Sequence, residues 1–148
     1  MVDEYQILEA RAHRADAILL IAAALESGEM KHFARTAHDL GLDVLVEVHT
    51  GAELARVLDT LGESWADAIG VNNRDLRTFE VSLETSLALA EQIPASAVRV
   101  AESGIHTVAD IAQLRKAGFN AFLIGESLMR QPDPGAALSE LIAATAKA

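Results

Sequence analysis

The chain has 148 residues, 51% of them hydrophobic, with a formal charge of −10 and no cysteine. That length and apolar content suffice for one globular domain with a real core. The acidic balance disfavours nucleic acid and anionic membranes as partners, because those surfaces repel it at long range, and the lack of cysteine excludes disulfides and thiol chemistry.

The N-terminal Met1-Val2-Asp3-Glu4-Tyr5-Gln6 lacks the basic and apolar regions of a signal peptide. No apolar run approaches the roughly 20 residues needed to span a bilayer. A soluble, cytoplasmic protein is the expectation.

A first helix is predicted from Asp3, an N-cap with Gln6 three residues on, to about Arg14. Residues 16–21 form a short apolar run typical of a strand buried on both faces. Ser27 and Glu29 open a helix that ends near Gly41, and residues 44–49 make the second strand. Thr50 and Glu53 form a capping-box pattern, followed by Leu54, Val57, Leu58 and Leu61 at helical spacing. A third strand covers residues 66–72, with a helix over 82–92, and Trp65 reads as an anchor for the loop entering that strand. The fourth strand covers 98–102, and Thr107 and Asp110 cap the helix carrying Val108, Ile111 and Leu114. The fifth covers 121–125, and Asp133 with Pro134 starts the last helix at its N-cap and N1 positions.

The order is α(βα)5, with strands about 25 to 30 residues apart, the rhythm of right-handed parallel βαβ units. The fold class expected is α/β, a partial (βα)8 TIM barrel of five parallel βα units preceded by one helix, in a single domain over residues 1–148. Five strands are too few to close a barrel that usually takes about 250 residues. The first and last strands are therefore expected to offer open edges that invite self-association, most simply as a two-fold homodimer. A flattened, doubly wound sheet and strand exchange between chains are the alternatives.

Polar residues gather at the strand ends. Period-2 alternation sets Val44, Val46 and Val48 on one face and Leu45, Glu47 and His49 on the other. A carboxylate at Glu47 is costly to bury unless it is paired or does chemistry, with a structural salt bridge as the alternative; His49 reads as a rim residue. Asn72 and Arg74 follow the third strand, where Arg74 either faces a ligand or pairs with Asp75. Glu102 and Ser103 sit at the same level on the fourth. After the fifth, Gly125, Glu126 and Ser127 leave backbone N–H groups free at a helix start, a geometry that binds phosphate, and Ser103-Gly104 repeats the pattern. Consecutive strand ends carrying polar groups mark the catalytic face of a barrel. The five histidines show no metal-binding spacing, so no metal is expected.

Tyr5-Gln6-Ile7-Leu8-Glu9-Ala10-Arg11, Leu45-Val46-Glu47-Val48-His49, Gly70-Val71-Asn72-Asn73-Arg74-Asp75-Leu76, Ala101-Glu102-Ser103-Gly104-Ile105 and Leu123-Ile124-Gly125-Glu126-Ser127-Leu128-Met129, in that order, closely resemble the indole-3-glycerol phosphate synthase family. The resemblance implies ring closure of 1-(2-carboxyphenylamino)-1-deoxyribulose 5-phosphate with loss of carbon dioxide and water, in tryptophan biosynthesis, without a metal or organic cofactor. It implies that Glu47 is the general base of the dehydration, that Asn72 contacts a substrate hydroxyl, and that Arg74 lies near the substrate carboxylate. Glu102 and Ser103 would line the pocket beside the reacting carbons, and Gly104, Gly125, Glu126 and Ser127 would form the phosphate-binding turns, Ser127 adding its hydroxyl. It also implies that the chain begins at the helix after the family's third strand, so that the lysine acting as general acid lies outside it. Little or no synthase activity is expected from these 148 residues alone. Capture of a sugar phosphate without turnover, or self-assembly as a half-barrel, are the other readings.

Overall fold

A computed structural model describes residues 1–62 and 65–145. Five strands, β1 (Ala17–Ile21), β2 (Asp43–Val48), β3 (Ala68–Asn72), β4 (Val98–Glu102) and β5 (Ala121–Leu123), alternate with helices. The helices are α1 (Glu4–Ala12), α2 (Ser27–Asp39), α3 (Gly51–Leu61), α4 (Glu84–Leu89), α5 (Val108–Lys116), α6 (Glu126–Met129) and α7 (Pro134–Thr145). Every neighbouring strand pair is parallel and the spatial order is β1-β2-β3-β4-β5. A doubly wound sheet reverses its strand order at a switch point. This sheet has no reversal, so it is a segment of a singly wound α/β barrel.

Paired residues of parallel strands share a face, so the register sorts the side chains. Ile18, Leu20, Val44, Val46, Val48, Ile69, Val71 and Ala101 turn to the helices and are buried together with Met30, Phe33, Leu54, Val57, Leu89 and Leu114. Each of these side chains larger than alanine contributes roughly 1.5–3 kcal/mol by leaving water. The opposite face carries Leu19, Ile21, Leu45, Glu47, Gly70, Asn72, Val100, Glu102 and Leu123.

The helix starts follow the expected caps at α1, α3 and α5. Asp3 Oδ1 accepts from the Tyr5 N–H at 2.8 Å, Thr50 Oγ1 from the Glu53 N–H at 3.1 Å, and Thr107 Oγ1 from the Asp110 N–H at 3.2 Å. Helix α2 begins at Ser27 as expected, behind Glu26, which forms a reciprocal capping box with Glu29. Elsewhere the boundaries shift. The helix expected over 82–92 is α4 followed by a 3-10 turn at Ala90–Gln92. Strand β5 stops at Leu123, and Gly125 is the N-cap of α6. No helix among the described residues is long and apolar enough to cross a membrane.

Candidate functional site

The C-terminal strand ends bring the polar residues together. In the register Glu47 of β2 lies beside Gly70 of β3, and Asn72 of β3 lies beside Glu102 of β4. The two glutamates therefore stand on strands flanking β3, about 9.6 Å apart at the usual strand spacing, and lean toward each other above a residue with no side chain. A Cβ on Gly70 would overlap Glu102 Oε1 and lie 3.0 Å from its Cδ. The glycine is what admits the carboxyl group.

Both glutamates are buried, each 6% exposed. Burial, then the charge of Glu47 and a hydrogen bond with it, push the Glu102 carboxyl up to about 8. Two carboxylates in contact repel, and one shared proton turns that repulsion into a hydrogen bond. At neutral pH Glu102 is thus an acid held against Glu47. Asn72 Nδ2 donates to Glu47 Oε1 at 3.2 Å while Asn72 Oδ1 accepts from the Arg74 N–H at 3.0 Å, which fixes the amide at both ends.

His49, expected at the rim, is instead tucked against this pair with its side chain 9% exposed. Its Nε2 lies 3.1 Å from Glu47 Oε1, out of line for a hydrogen bond, and its Nδ1 lies 3.4 Å from Glu53 Oε2. The signal was in the alternation itself, which put His49 on the face of Glu47, and in the four-residue step to Glu53. Asn73 also went unassigned in the sequence. It is 2% exposed, donates through Nδ2 to the Ser103 carbonyl at 3.1 Å, and accepts on Oδ1 from the Ser86 hydroxyl at 2.8 Å, tying the ends of β3 and β4 to α4.

Two cavities open here and meet at Arg74. The larger, about 520 Å³, is lined by His49, Glu53, Asn72, Arg74 and Arg77 among others. The smaller, about 270 Å³, is lined by Arg74, Ser103, Gly104, Gly125, Glu126 and Ser127. Arg74 does not pair with Asp75. Its guanidinium meets Glu126 Oε2 at 2.8 Å, and Glu126 Oε1 meets Arg130 at 2.8 Å. Those cations, Arg130 foremost, hold the Glu126 carboxyl below its ordinary range. The Ser127 hydroxyl donates to the Ile105 carbonyl at 3.1 Å and is committed there.

The glycines of that corner differ. Gly104 has φ +73°, and a Cβ on it would sit 2.5 Å from Val81 Cγ1, so both conformation and packing demand glycine. Gly125 has φ −117° and a Cβ there would meet nothing within 4 Å. Neither backbone nor neighbours require glycine at 125.

Comparison with known proteins agrees with this architecture. A family model described as indole-3-glycerol phosphate synthase matches residues 1–141. The curated indole-3-glycerol phosphate synthase of Acidovorax sp. (strain JS42) is 54% identical over 143 residues, covering 97% of this chain and 52% of that protein. That of Koribacter versatilis (strain Ellin345) is 56% identical over 142 residues, covering 96% and 53%. Among solved structures, 3-hexulose-6-phosphate synthase from Salmonella typhimurium superposes with TM-score 0.79 at 16% identity over 99% of this chain and 70% of that one. A tryptophan synthase alpha-subunit from Pyrococcus furiosus superposes with TM-score 0.71 at 16% identity over 98% and 60%. At such identity these two likenesses speak to the fold alone. The chain spans about half the length of the curated relatives it matches, and it belongs to the indole-3-glycerol phosphate synthase family.

Proposed function

We propose that this chain supplies one wall of an indole-3-glycerol phosphate synthase site, closing the indole ring of 1-(2-carboxyphenylamino)-1-deoxyribulose 5-phosphate with release of carbon dioxide and water. The observation that carries the reading is the pair of buried carboxyls, Glu47 and Glu102, meeting over Gly70, with Glu102 held protonated by burial and by Glu47. Dehydration needs a base to take a proton while a hydroxyl leaves, and Glu47, steadied by Asn72, is the acceptor. Glu102 is the proton donor that this chain itself offers, with Ser103 beside it. Arg74, between the two cavities, exchanges Glu126 for the substrate carboxylate. The smaller cavity takes the phosphate on backbone N–H groups around Gly104, Gly125, Glu126 and Ser127, and the open space at Gly125 suits close approach of that anion.

The sequence has three lysines, Lys31, Lys116 and Lys147. Lys31 lies within α2, Lys116 at the end of α5, and Lys147 outside the described residues. Among the described residues, then, the strand ends carry no lysine to act as general acid. General acid catalysis is worth about 10² to 10⁴ in rate. The experiment is synthase turnover by these 148 residues alone and with the preceding strands of a relative added in trans. Little turnover alone, recovery on mixing and at least a hundredfold loss in Glu47→Gln are expected; full turnover alone that survives Glu47→Gln would overturn the reading.

We also propose self-association. Among the described residues β1 and β5 each pair on one side only, and Val98 and Leu123 on the inner face are 45% and 50% exposed. A two-fold dimer covers both edges and this face, and a monodisperse monomer at micromolar concentration in a sedimentation run would contradict it.

A further inference from the structure

The His49 ring stands between two carboxylates, Glu47 on Nε2 and Glu53 on Nδ1. Glu53 is not free to swing away. It is the third residue of α3, whose start Thr50 caps, and its Oε2 also accepts from the His49 backbone N–H at 2.7 Å. One carboxylate therefore grips both the backbone and the ring of His49. An imidazole flanked by a carboxylate at each nitrogen can take a proton on one side and release it on the other.

Two buried side-chain polar atoms among the described residues have no hydrogen-bond partner, His49 Nε2 and Glu102 Oε1. Both belong to groups in contact with Glu47. Leaving a buried polar atom unpaired is costly, and such atoms call for a role. A proton passing along Glu102, Glu47 and His49 would complete these contacts in turn. Glu53, at the far end, lines the larger cavity.

We propose that His49, clamped by Glu53, is the positioning residue of Glu47, holding that carboxylate over Gly70 and carrying the proton it collects to Glu53 at the cavity. The inference rests on Glu47 as the proton acceptor of the proposed function. The other charged groups around the ring are Asp75, whose carboxyl the N–H groups of Arg77 and Thr78 and, more weakly, the charges of Arg77 and His49 hold low, and Arg74, Arg77 and Glu80 on the cavity wall.

The test is carbon NMR of the 148-residue chain carrying glutamate labelled at the carboxyl carbon, titrated as wild type, His49→Gln and Glu53→Gln. Removing His49 releases Glu47 from its seat over Gly70, and because Glu47 helps to hold the Glu102 carboxyl up, the Glu102 midpoint is expected to fall from about 8. Glu53→Gln keeps an acceptor for the His49 N–H and hence the helix start, and is expected to move the same ionisation in the same direction by less. Unchanged midpoints in the folded variants would overturn the proposal, and if His49→Gln fails to fold, Glu53→Gln decides alone. The readout needs no turnover: a moved titration in a protein that stays inactive on complementation would uphold the role of His49 and defeat the synthase reading.

Discussion

At the N-terminal edge of the sheet His38 Nε2 meets Asp67 Oδ2 at 2.8 Å, the same oxygen accepts from the Val44 N–H at 2.8 Å, and the His38 ring stacks on Trp65 at 5.4 Å. At the C-terminal edge His49 also stands beside carboxylates, Glu47 and Glu53, but Glu47 is buried against Glu102 and two buried side-chain atoms go unpaired. In the first cluster burial raises the Asp67 carboxyl, yet the His38 hydrogen bond and the Val44 N–H outweigh it and the net shift is downward. In the second, burial and like charge act together and the net shift of Glu102 is upward. The same residue types thus make a satisfied joint at one end and a poised one at the other. Barrels separate stability and chemistry in this way, with catalytic groups at the C-terminal ends of the strands.

The largest break in the comparison comes from filling the gap between the two glutamates. Gly70→Ala forces the buried Glu102 carboxyl off its seat, with Leu45 Cδ1 3.3 Å away on the other side, and is expected to cost about 2–3 kcal/mol by overpacking. Adding Glu102→Ala should recover more than half of the lost urea midpoint. A Gly70→Ala chain as stable as wild type would show that the glycine is incidental.

A smaller loss is expected at the other end. Asp67→Ala leaves the Val44 N–H and His38 without their acceptor, at about 1 kcal/mol after discounting for an aspartate side chain 41% exposed. The sign with pH is fixed by the direction of the shift: a carboxyl held below its ordinary value stabilises the fold above that value and loses this contribution as pH falls through it. The difference between wild type and Asp67→Ala in urea midpoint should therefore shrink below about pH 4. A difference that persists at pH 3 would mean that the contact is not ionic.

Much of this was legible in the sequence, for reasons that are local. The strands announced themselves as short apolar runs, and the caps at Thr50 and Thr107 as polar residues three positions before an acid. The face of Glu47 followed from alternation. What failed to show depends on distance along the chain or on what a residue lacks. Arg74 finds Glu126, 52 residues away, in preference to its neighbour Asp75. Gly70 reads as an unremarkable strand residue until the register places it between Glu47 and Glu102. His49 was visible on the right face, but its burial depends on Glu53 being held by the start of α3. The chemistry-bearing residue types were readable, and their mutual contacts needed the fold.

Whether the C-terminal cluster is poised or merely structural shows in stability against pH for wild type and Glu102→Gln. With its carboxyl raised from about 4.5 to about 8, folded Glu102 binds more protons than the unfolded chain between those values, so stability falls as pH rises through that window. Glutamine removes that slope. The variant is expected to overtake wild type with rising pH, by on the order of 1 kcal/mol near pH 9 after screening through the open cavity. Urea midpoints that run parallel for the two chains from pH 5 to 9 would contradict the account, since they would mean that Glu102 titrates as an ordinary surface carboxyl.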